Sequence, residues 1–453
     1  MLKRLALLYF IGVFFACKTT RNQAKMSPEP YRPNFHFTPP SMWMNDPNGM
    51  VFFEGEYHLF YQYYPGSTVW GPMHWGHAVS RDLVHWEHLP IALYPDSLGL
   101  IFSGSAVVDW NNTSGFGQNG KPPLVAIFTQ HLMEGEKAGR HDFQYQSIAY
   151  SNDRGRTWTK YRGNPVIPNT ESIHDFRDPK VIWNEESQKW LMVFAAKDQV
   201  KFWSSSDLKH WTHLSDFGKE WGAHGGVWEC PDFFPMTVAG TNQKKWVLLQ
   251  SLNPGSPNGG SGTQYFIGDF DGKTFSLDPA CKESVSDGKA LWLDWGRDNY
   301  AGVTWSDIPK PDGRRLFLGW MSNWDYAMLV PTKNWRSAMT IPRELTLEKT
   351  SAGLRVFSQP ARELKRMRKG SYNIERQEVN GNLDISQKSG FSPANMEVEL
   401  EIEIPEGAKT TVGLVLANTK GETYRVGFDA VKNEFFSDRT HAGQRDFSKN
   451  FAE

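Results

Sequence analysis

The chain has 453 residues, with 49 Lys+Arg against 50 Asp+Glu and a formal net charge of -1. That length allows more than one domain, and the charge balance carries no electrostatic footprint for a nucleic-acid partner. With 19 Trp and 14% aromatic residues, the chain is rich in side chains that join a broad apolar face to a polar tip, which suits sugar rings and a β core alike.

At the N-terminus, Lys3 and Arg4 precede an apolar run from Leu5 to Ala16, and Cys17 follows directly. A hydrocarbon core takes about 20 residues to span, so this shorter run fits the h-region of an export signal instead. A cysteine after Phe-Phe-Ala resembles a bacterial lipoprotein cleavage and lipidation site, although Phe14 stands where Leu or Val is more usual. The alternative is an ordinary secretory signal. The expectation is a signal peptide over 1–16, lipidation at Cys17 and a polar, proline-bearing tether over 17–35. The protein would then sit on a bacterial membrane through its lipid anchor, at the cell surface or in the periplasm. Only Cys230 and Cys281 remain, so no disulfide framework or cysteine-rich metal site is implied.

From residue 36 the chain reads as short strands. "MVFFEGEYHLFYQYY" is two apolar-aromatic runs around Glu54-Gly55-Glu56, a hairpin signal, and "KVIWNEESQKWLMVFAA" repeats the design. "PLVAIFTQ", "KKWVLLQSL", "TQYFIGDF", "YAGVTWS" and "RRLFLGWMSN" are further strand-length runs, and no long stretch keeps a helical period. "HWGHAVSRDLVHWEHLP", "SIAYSNDRGRTWTKY" and "VKFWSSSDLKHWTHL" share a strand, a Ser and Asp turn and a tryptophan: Trp86, Trp158 and Trp211. Modules of this kind suggest propeller blades, and roughly 300 residues at about 50 to 70 per module predict five.

After about Pro342 the texture changes. "MEVELEIEIP" alternates glutamate with Val398, Leu400, Ile402 and Ile404, as a strand with one wet face would. The basic connector at 362–371 reads as a solvated face. The fold class expected is all-β: a five-bladed β-propeller over 36–345, then a C-terminal β-sandwich over 355–453.

Three acids stand out. Asp46 lies in "WMNDPNG", where Pro47 stiffens the backbone beneath it. Asp178 precedes Pro179 in "FRDP" with Arg177 beside it, and Glu229 lies one residue before Cys230-Pro231 in "WECPD". Turn formation alone explains such residues. In a propeller, however, the first strand of each blade lines the axis, so distant acids can meet in one funnel. Glycoside hydrolysis needs such a cluster: one carboxylate attacks or activates, another protonates the leaving oxygen, and their pKa values must be pushed apart. Arg177 would keep Asp178 charged while ordering it. No D-x-D-x-D-G calcium ladder is present, His74, His77 and His85 read as structural histidines, and neither a metal nor a cofactor is expected.

The motifs "WMNDPNG", "FRDP" and "WECPD", in that order, resemble the three acidic motifs of glycoside hydrolase family 32, which holds invertases, levanases and inulinases. "YHLFYQYYP", "WGHAVSRDLVHW", "IFSGSAV" and "GWMSNWDYA" with "VPTKNWRSAMTIPREL" resemble further blocks of that family, over about residues 35 to 360. The resemblance implies the propeller and sandwich and a retaining double displacement. Asp46 would be the nucleophile, Glu229 the acid that later activates water, and Asp178 the transition-state stabiliser with Arg177 at its side. Trp43, Asn45, Gln62, Trp70, Phe102, Ser103 and Trp324 would line the fructosyl pocket. For the aromatics the alternative is blade core, and Gln62 and Ser103 could instead satisfy strand backbone. Cys230 is read as a small buried residue without a chemical role.

Family sandwiches carry more strands than the residues after Pro342 supply, so the sandwich is either reduced or incomplete in this sequence. An exported, tethered enzyme favours a fructan polymer, levan or inulin, over sucrose. Sucrose hydrolysis by an invertase, or fructosyl transfer, is the alternative chemistry, and a non-catalytic fructan-binding surface protein is the rival of another class. Loops near 131–144 and 253–262 would decide between attack at chain ends and within chains. A monomer is expected.

Overall fold

The computed structural model describes residues 29–386 and 395–452. The apolar leader, Cys17 and most of the tether lie outside the described residues. The chain divides into two units, Met1–Arg32 and Pro33–Glu453. In the described part of the first, Arg32 Nε donates to Glu29 Oε2 at 2.7 Å. All that follows concerns the second.

Blade one is formed by β1 (Met42–Phe53), β2 (Glu56–Tyr64), β3 (His74–Ser80) and β4 (Trp86–Leu93). Blade two follows with β5 (Leu100–Val108), β6 (Leu124–His131), β7 (Gln144–Ser151) and β8 (Thr159–Lys160), and blade three with β9 (Phe176–Asn184), β10 (Lys189–Ala196), β11 (Gln199–Ser205) and β12 (Thr212–Phe217). Blade four holds β13 (Val227–Thr237), β14 (Lys244–Asn253), β15 (Gly262–Phe270), β16 (Phe275–Leu277) and the short β17 (Leu291–Trp292). Blade five holds β18 (Tyr300–Thr304), β19 (Arg315–Trp320), β21 (Arg343–Thr350) and β22 (Gly353–Pro360), while β20 (Trp335–Arg336) leaves it to pair in parallel with β1. The inner strands close a ring: β1 neighbours β5, β5 neighbours β9, β9 neighbours β13, β13 neighbours β18, and β18 returns to β1. This is a five-bladed propeller, clasped where Met42 and Trp43 pair with Trp335 and Arg336. The ring leaves no open edge between the first and last blades to pair elsewhere.

The internal repeat has a physical basis. In blades one to three it is the turn between the third and fourth strands. Ser80, Ser151 and Ser205 donate to Asp82, Asp153 and Asp207 at 3.1, 2.7 and 3.1 Å, and each aspartate accepts backbone N–H groups ahead of it. Such Asx turns reverse the chain through the aspartate side chain's bonds to the backbone ahead of it. The tryptophan after each turn wedges against the preceding blade. Trp86 stacks on Trp305 of blade five at 6.4 Å, and Trp158 meets Phe60 of blade one at 5.5 Å. Blade four carries a fourth, unsuspected copy: Asp271 accepts from Lys273 and Thr274, and Phe275 takes the tryptophan's place, 4.9 Å from Phe217 of blade three.

All five inner strands lose register with their second strands at one level: between Asn45 and Pro47, Ile101 and Gly104, Arg177 and Lys180, Glu229 and Asp232, and Tyr300 and Val303. These are β-bulges, which turn a strand and re-aim its side chains. Three of them hold a non-glycine residue at positive φ: Asp178 at 66°, Cys230 at 46° and Ala301 at 51°. Each such backbone costs roughly 1–3 kcal/mol and persists only where its surroundings impose it.

Three findings depart from the sequence reading. The outer strands β21 and β22 carry blade five to Pro360, beyond the change of texture near Pro342, because an outer strand with one wet face is as rich in charge as a sandwich strand. The basic connector is a 3-10 helix, Arg362–Met367, and more than a solvated face, since Glu363 takes Arg314 at 2.7 Å. Residues 396–405 form no ladder, and Val398, Leu400 and Ile402 are exposed. An alternating pattern becomes a strand only when it pairs with a neighbour, and this segment pairs with none of the described strands. In this region the described strands are one antiparallel sheet of β23 (Thr411–Ala417), β24 (Thr423–Asp429) and β25 (Glu434–His441).

Gly104 closes the bulge of blade two, where an added Cβ would lie 2.0 Å from the Ile127 carbonyl oxygen. Gly104→Ala is expected to destabilise the protein by about 1–3 kcal/mol, read as a lower Tm, because the backbone of β6 must shift.

Candidate active site

Each of the three acids stands at a bulge of an inner strand, so the register break aims it at the axis. Asp46 is the unpaired residue between Asn45 and Pro47; its Oδ1 accepts from Asn45 Nδ2 at 2.9 Å and its Oδ2 from Ser103 Oγ at 2.8 Å. Asp178 is held through its backbone, whose N–H donates to Thr129 Oγ1 at 2.9 Å, and its Oδ2 accepts from the Cys230 N–H at 3.0 Å. Glu229 accepts from Tyr300 through Oε2 and from Arg177 Nη2 at 3.0 Å through Oε1. Its carbonyl is fixed by Gln250 Nε2 at 2.9 Å. The Cys230 sulfur lies 3.6 Å from both Asp46 Oδ2 and Asp178 Oδ2, which brings the carboxylates of blades one and three onto one point.

Burial dominates the electrostatics. It pushes the Asp46 carboxyl up to about 6, with the Glu229 charge adding and the Asn45 and Ser103 bonds offsetting only part. Burial likewise raises Asp178 to about 7, against the opposing pull of Arg177. Arg177 favours the charged form of Asp178, as expected from the sequence, but offsets only part of the effect of burial. Its Nε is 4.0 Å from Asp178, whereas its terminal nitrogens hold Glu229 and, at 2.6 Å, Asp175. Burial and the surrounding acids also hold the Cys230 thiol and the Tyr300 hydroxyl well above their ordinary values, so both keep their protons.

The residues expected to line the pocket gather around Asp46. The fully buried Trp43 donates through Nε1 to Asn45 Oδ1 at 2.7 Å and stacks on Trp324 at 5.9 Å. Gln62 pairs with Asn45 across β1 and β2; its side chain is buried, and its Nε2 has no acceptor among the described residues. A buried amide without a partner costs about 1–3 kcal/mol, and a hydroxyl-bearing ligand would relieve it. Trp70 meets Phe102 edge-on at 6.2 Å, and Phe102 stacks on His131 at 4.4 Å. Ser103 serves Asp46 rather than strand backbone.

Sequence reasoning missed Thr129, Cys230, Gln250 and Tyr300. Cys230 was legible as a neighbour of Glu229, yet its contact with both aspartates comes from the turn of its bulge. The other three lie in β6, β14 and β18 without any motif of their own. Beneath the acids the axis is plugged: Lys180 is 3.4 Å from Asp232 and donates to the Thr304 carbonyl at 2.6 Å, while Asp232 Oδ2 accepts from the Thr304 N–H at 2.6 Å. A floor of this kind makes the axis a pocket rather than a tunnel. His74, His77 and His85 take separate partners: the Pro72 carbonyl, His58 and Asp82.

The raised carboxyls set a sign for stability. Asp46 and Asp178 bind their protons more tightly folded than unfolded, so they remove stability as pH rises from 3.8 to about 6 and about 7, with the full penalty present above that. Asp46→Asn and Asp178→Asn are therefore expected to melt a few degrees higher than the parent at pH 8, with the gain vanishing toward pH 4. Paired thermal scans at the two pH values check this.

The profile of the Glycosyl hydrolases family 32 N-terminal domain matches residues 36–360, and that of the family 32 C terminal matches residues 363–453. A levanase of Bacillus subtilis (strain 168) is 53% identical over 93% of this chain, which spans 60% of the levanase's length. An extracellular exo-inulinase of Aspergillus awamori is 41% identical over 94% of this chain and 82% of its own. The crystal structure of exo-inulinase from Aspergillus awamori matches with a TM-score of 0.77 at 37% identity, covering 94% of this chain and 85% of that one. Matches to both profiles along the propeller and beyond it, together with the three converging acids, identify the chain as a member of glycosyl hydrolases family 32.

Proposed function

We propose that this protein hydrolyses β-fructofuranosidic linkages of fructans by a retaining double displacement. The observation that carries the reading is the convergence of Asp46, Asp178 and Glu229, each from the bulge of a different inner strand. Asp46, fixed by Asn45 and Ser103, attacks the anomeric carbon of the bound fructosyl unit. Glu229, bonded to Tyr300 and Arg177, protonates the leaving oxygen and then takes a proton from the water that releases fructose. Asp178 grips fructosyl hydroxyls and stabilises the positive charge of the transition state. Gln62 supplies a donor to the same sugar.

The exo-inulinase relatives favour attack at chain ends, and the two loops that would wall the pocket are held in place. The 131–144 loop is anchored on Phe102's stacking partner: His131 bonds Glu136 at 3.0 Å and Gln144 at 3.1 Å. The 253–262 loop is packed on Asn323, next to Trp324, and Gly260 has no room for a Cβ because Asn323 Oδ1 would lie 2.0 Å from it. Both walls are thus fastened to pocket residues. Levan is the favoured polymer, since the levanase is 53% identical against 41% for the exo-inulinase. The extracellular relative and the leader with Cys17 support action outside the cytoplasm, on a lipid anchor.

Incubation with levan or inulin is expected to release fructose alone from the first minutes; mixed oligosaccharides would refute end attack. Asp46→Ala is expected to lower kcat by at least about 10⁴-fold, and retained activity would sink the nucleophile assignment. The kcat/KM profile should fall as pH drops through about 6, where Asp46 takes up its proton. In a bacterial host, Cys17→Ser is expected to abolish palmitate labelling and move the protein from membrane to soluble fraction.

A further inference from the structure

Arg439 of β25 lies where that strand slips register against β24, between Arg425–Asp438 and Thr423–His441. The bulge turns its guanidinium toward the propeller. Nη1 pairs with Asp298, Nη2 donates to the Tyr326 hydroxyl at 2.8 Å, and Nε donates to the Phe451 carbonyl at 2.9 Å. Its planar face lies 4.0 Å from the Phe451 ring and 5.1 Å from that of Tyr326. The Tyr326 hydroxyl in turn donates to Asp298 Oδ1 at 2.5 Å. One arginine thus ties together three parts of the chain through every kind of nitrogen it has. Among the described residues it is the cation paired with Asp298.

What it ties down is the turn that carries Trp324. Tyr326 and Ala327 donate their backbone N–H groups to the Asn323 carbonyl at 3.1 and 2.8 Å, closing the turn. Asn323 Nδ2 donates to the Arg297 carbonyl at 2.9 Å, and Arg297 pairs with Asp325 at 3.2 Å. Trp324 projects from this turn onto Trp43 at 5.9 Å and Trp320 at 4.9 Å. Trp43 holds Asn45, and Asn45 holds the Asp46 carboxylate. An unbroken series of contacts therefore runs from the C-terminal sheet to Asp46.

We propose that Arg439 is a positioning residue for the fructosyl pocket: by clamping Asp298 and Tyr326 it sets the place of Trp324, and so the pocket wall made with Trp43. The proposal rests on the pocket assignment made above and adds that the C-terminal sheet takes part in substrate binding. A surface ion pair alone would contribute little. Here the hydroxyl it holds belongs to a fully buried tyrosine, and losing the guanidinium leaves the Asp298 carboxylate beside that hydroxyl without its cation.

The test uses the full chain and four variants: Arg439→Met, Tyr326→Phe, Trp324→Ala, and Arg439→Met combined with Trp324→Ala. Arg439→Met is expected to raise KM for levan or inulin roughly five- to tenfold with kcat within about twofold, since ground-state placement is lost and the acids are untouched. Its near-UV circular dichroism should change as the Trp43–Trp320–Trp324 cluster shifts. In the Trp324→Ala background it should add nothing further to KM. A lowered Tm with unchanged KM, or effects that multiply in the double variant, would overturn the proposal and leave Arg439 a purely structural clamp. Should Arg439→Met fail to fold, Tyr326→Phe removes only the clamped hydroxyl, and an unchanged KM there overturns it equally. If the parent cleaves no fructan and no sucrose, the functional reading fails by itself. The tryptophan dichroism then still decides whether Arg439 sets that cluster.

Discussion

The active site depends on a break in hydrogen bonding shared by every inner strand. A propeller's inner strand in regular register would alternate its side chains between the two faces of its blade and leave the axis lined by backbone. At one level each of the five strands inserts an extra residue, and Asp46, Ser103, Asp178 and Glu229 all stand at or beside those insertions. The strain at Asp178 and Cys230 is held by groups from neighbouring strands. Thr129 receives the Asp178 N–H, the Asp178 carboxylate receives the Cys230 N–H, and Gln250 caps the Glu229 carbonyl. The strained backbone at these two positions is thus held by the same hydrogen bonds that fix the acids.

Charge in the pocket is unbalanced by design of the same geometry. Arg177 faces two of the three carboxyls, Glu229 at 3.0 Å and Asp178 at 4.0 Å, and it also serves Asp175. Burial then outweighs attraction for Asp46 and Asp178, whereas Glu229 keeps two direct donors. The two aspartates are thus held with raised affinity for protons until a substrate supplies hydroxyls and a developing positive charge. An oxocarbenium-like transition state meets a site whose negative charge is costly without it, which is differential binding in electrostatic form.

The blades and the C-terminal sheet differ in how they are joined. Between blades the link is aromatic and repeated, a tryptophan or phenylalanine wedged against the previous blade after each Asx turn. Between the propeller and the C-terminal sheet a polar clamp centred on Arg439 is prominent, and it falls on the turn carrying Trp324. Apolar wedges tolerate small shifts, but a forked guanidinium fixes its partners in direction as well as distance. That contrast is why the clamp can bear on the pocket.

Much of this was legible in the residues. Alternating and apolar-aromatic runs determined the strands, the Ser-Asp-Trp modules determined the blades, and acid-proline turns marked the three bulges that carry the acids. The blade-four repeat was hidden because phenylalanine replaced tryptophan, and the segment at 396–405 misled because alternation describes a strand's faces but not whether the strand pairs. Tyr300, Thr129, Gln250 and Arg439 had no sequence signal, since each acts across a gap of many residues. By itself the sequence determined which residues are acids, which turns aim them and which family the chain resembles, because those depend on local sterics and pattern. Only the tertiary structure decided that burial would prevail over Arg177 at Asp178, that Cys230 would sit between two carboxylates, and that a distant arginine would hold the Trp324 turn. Desolvation and three-dimensional reach are properties of the closed ring of blades, and no single segment carries them.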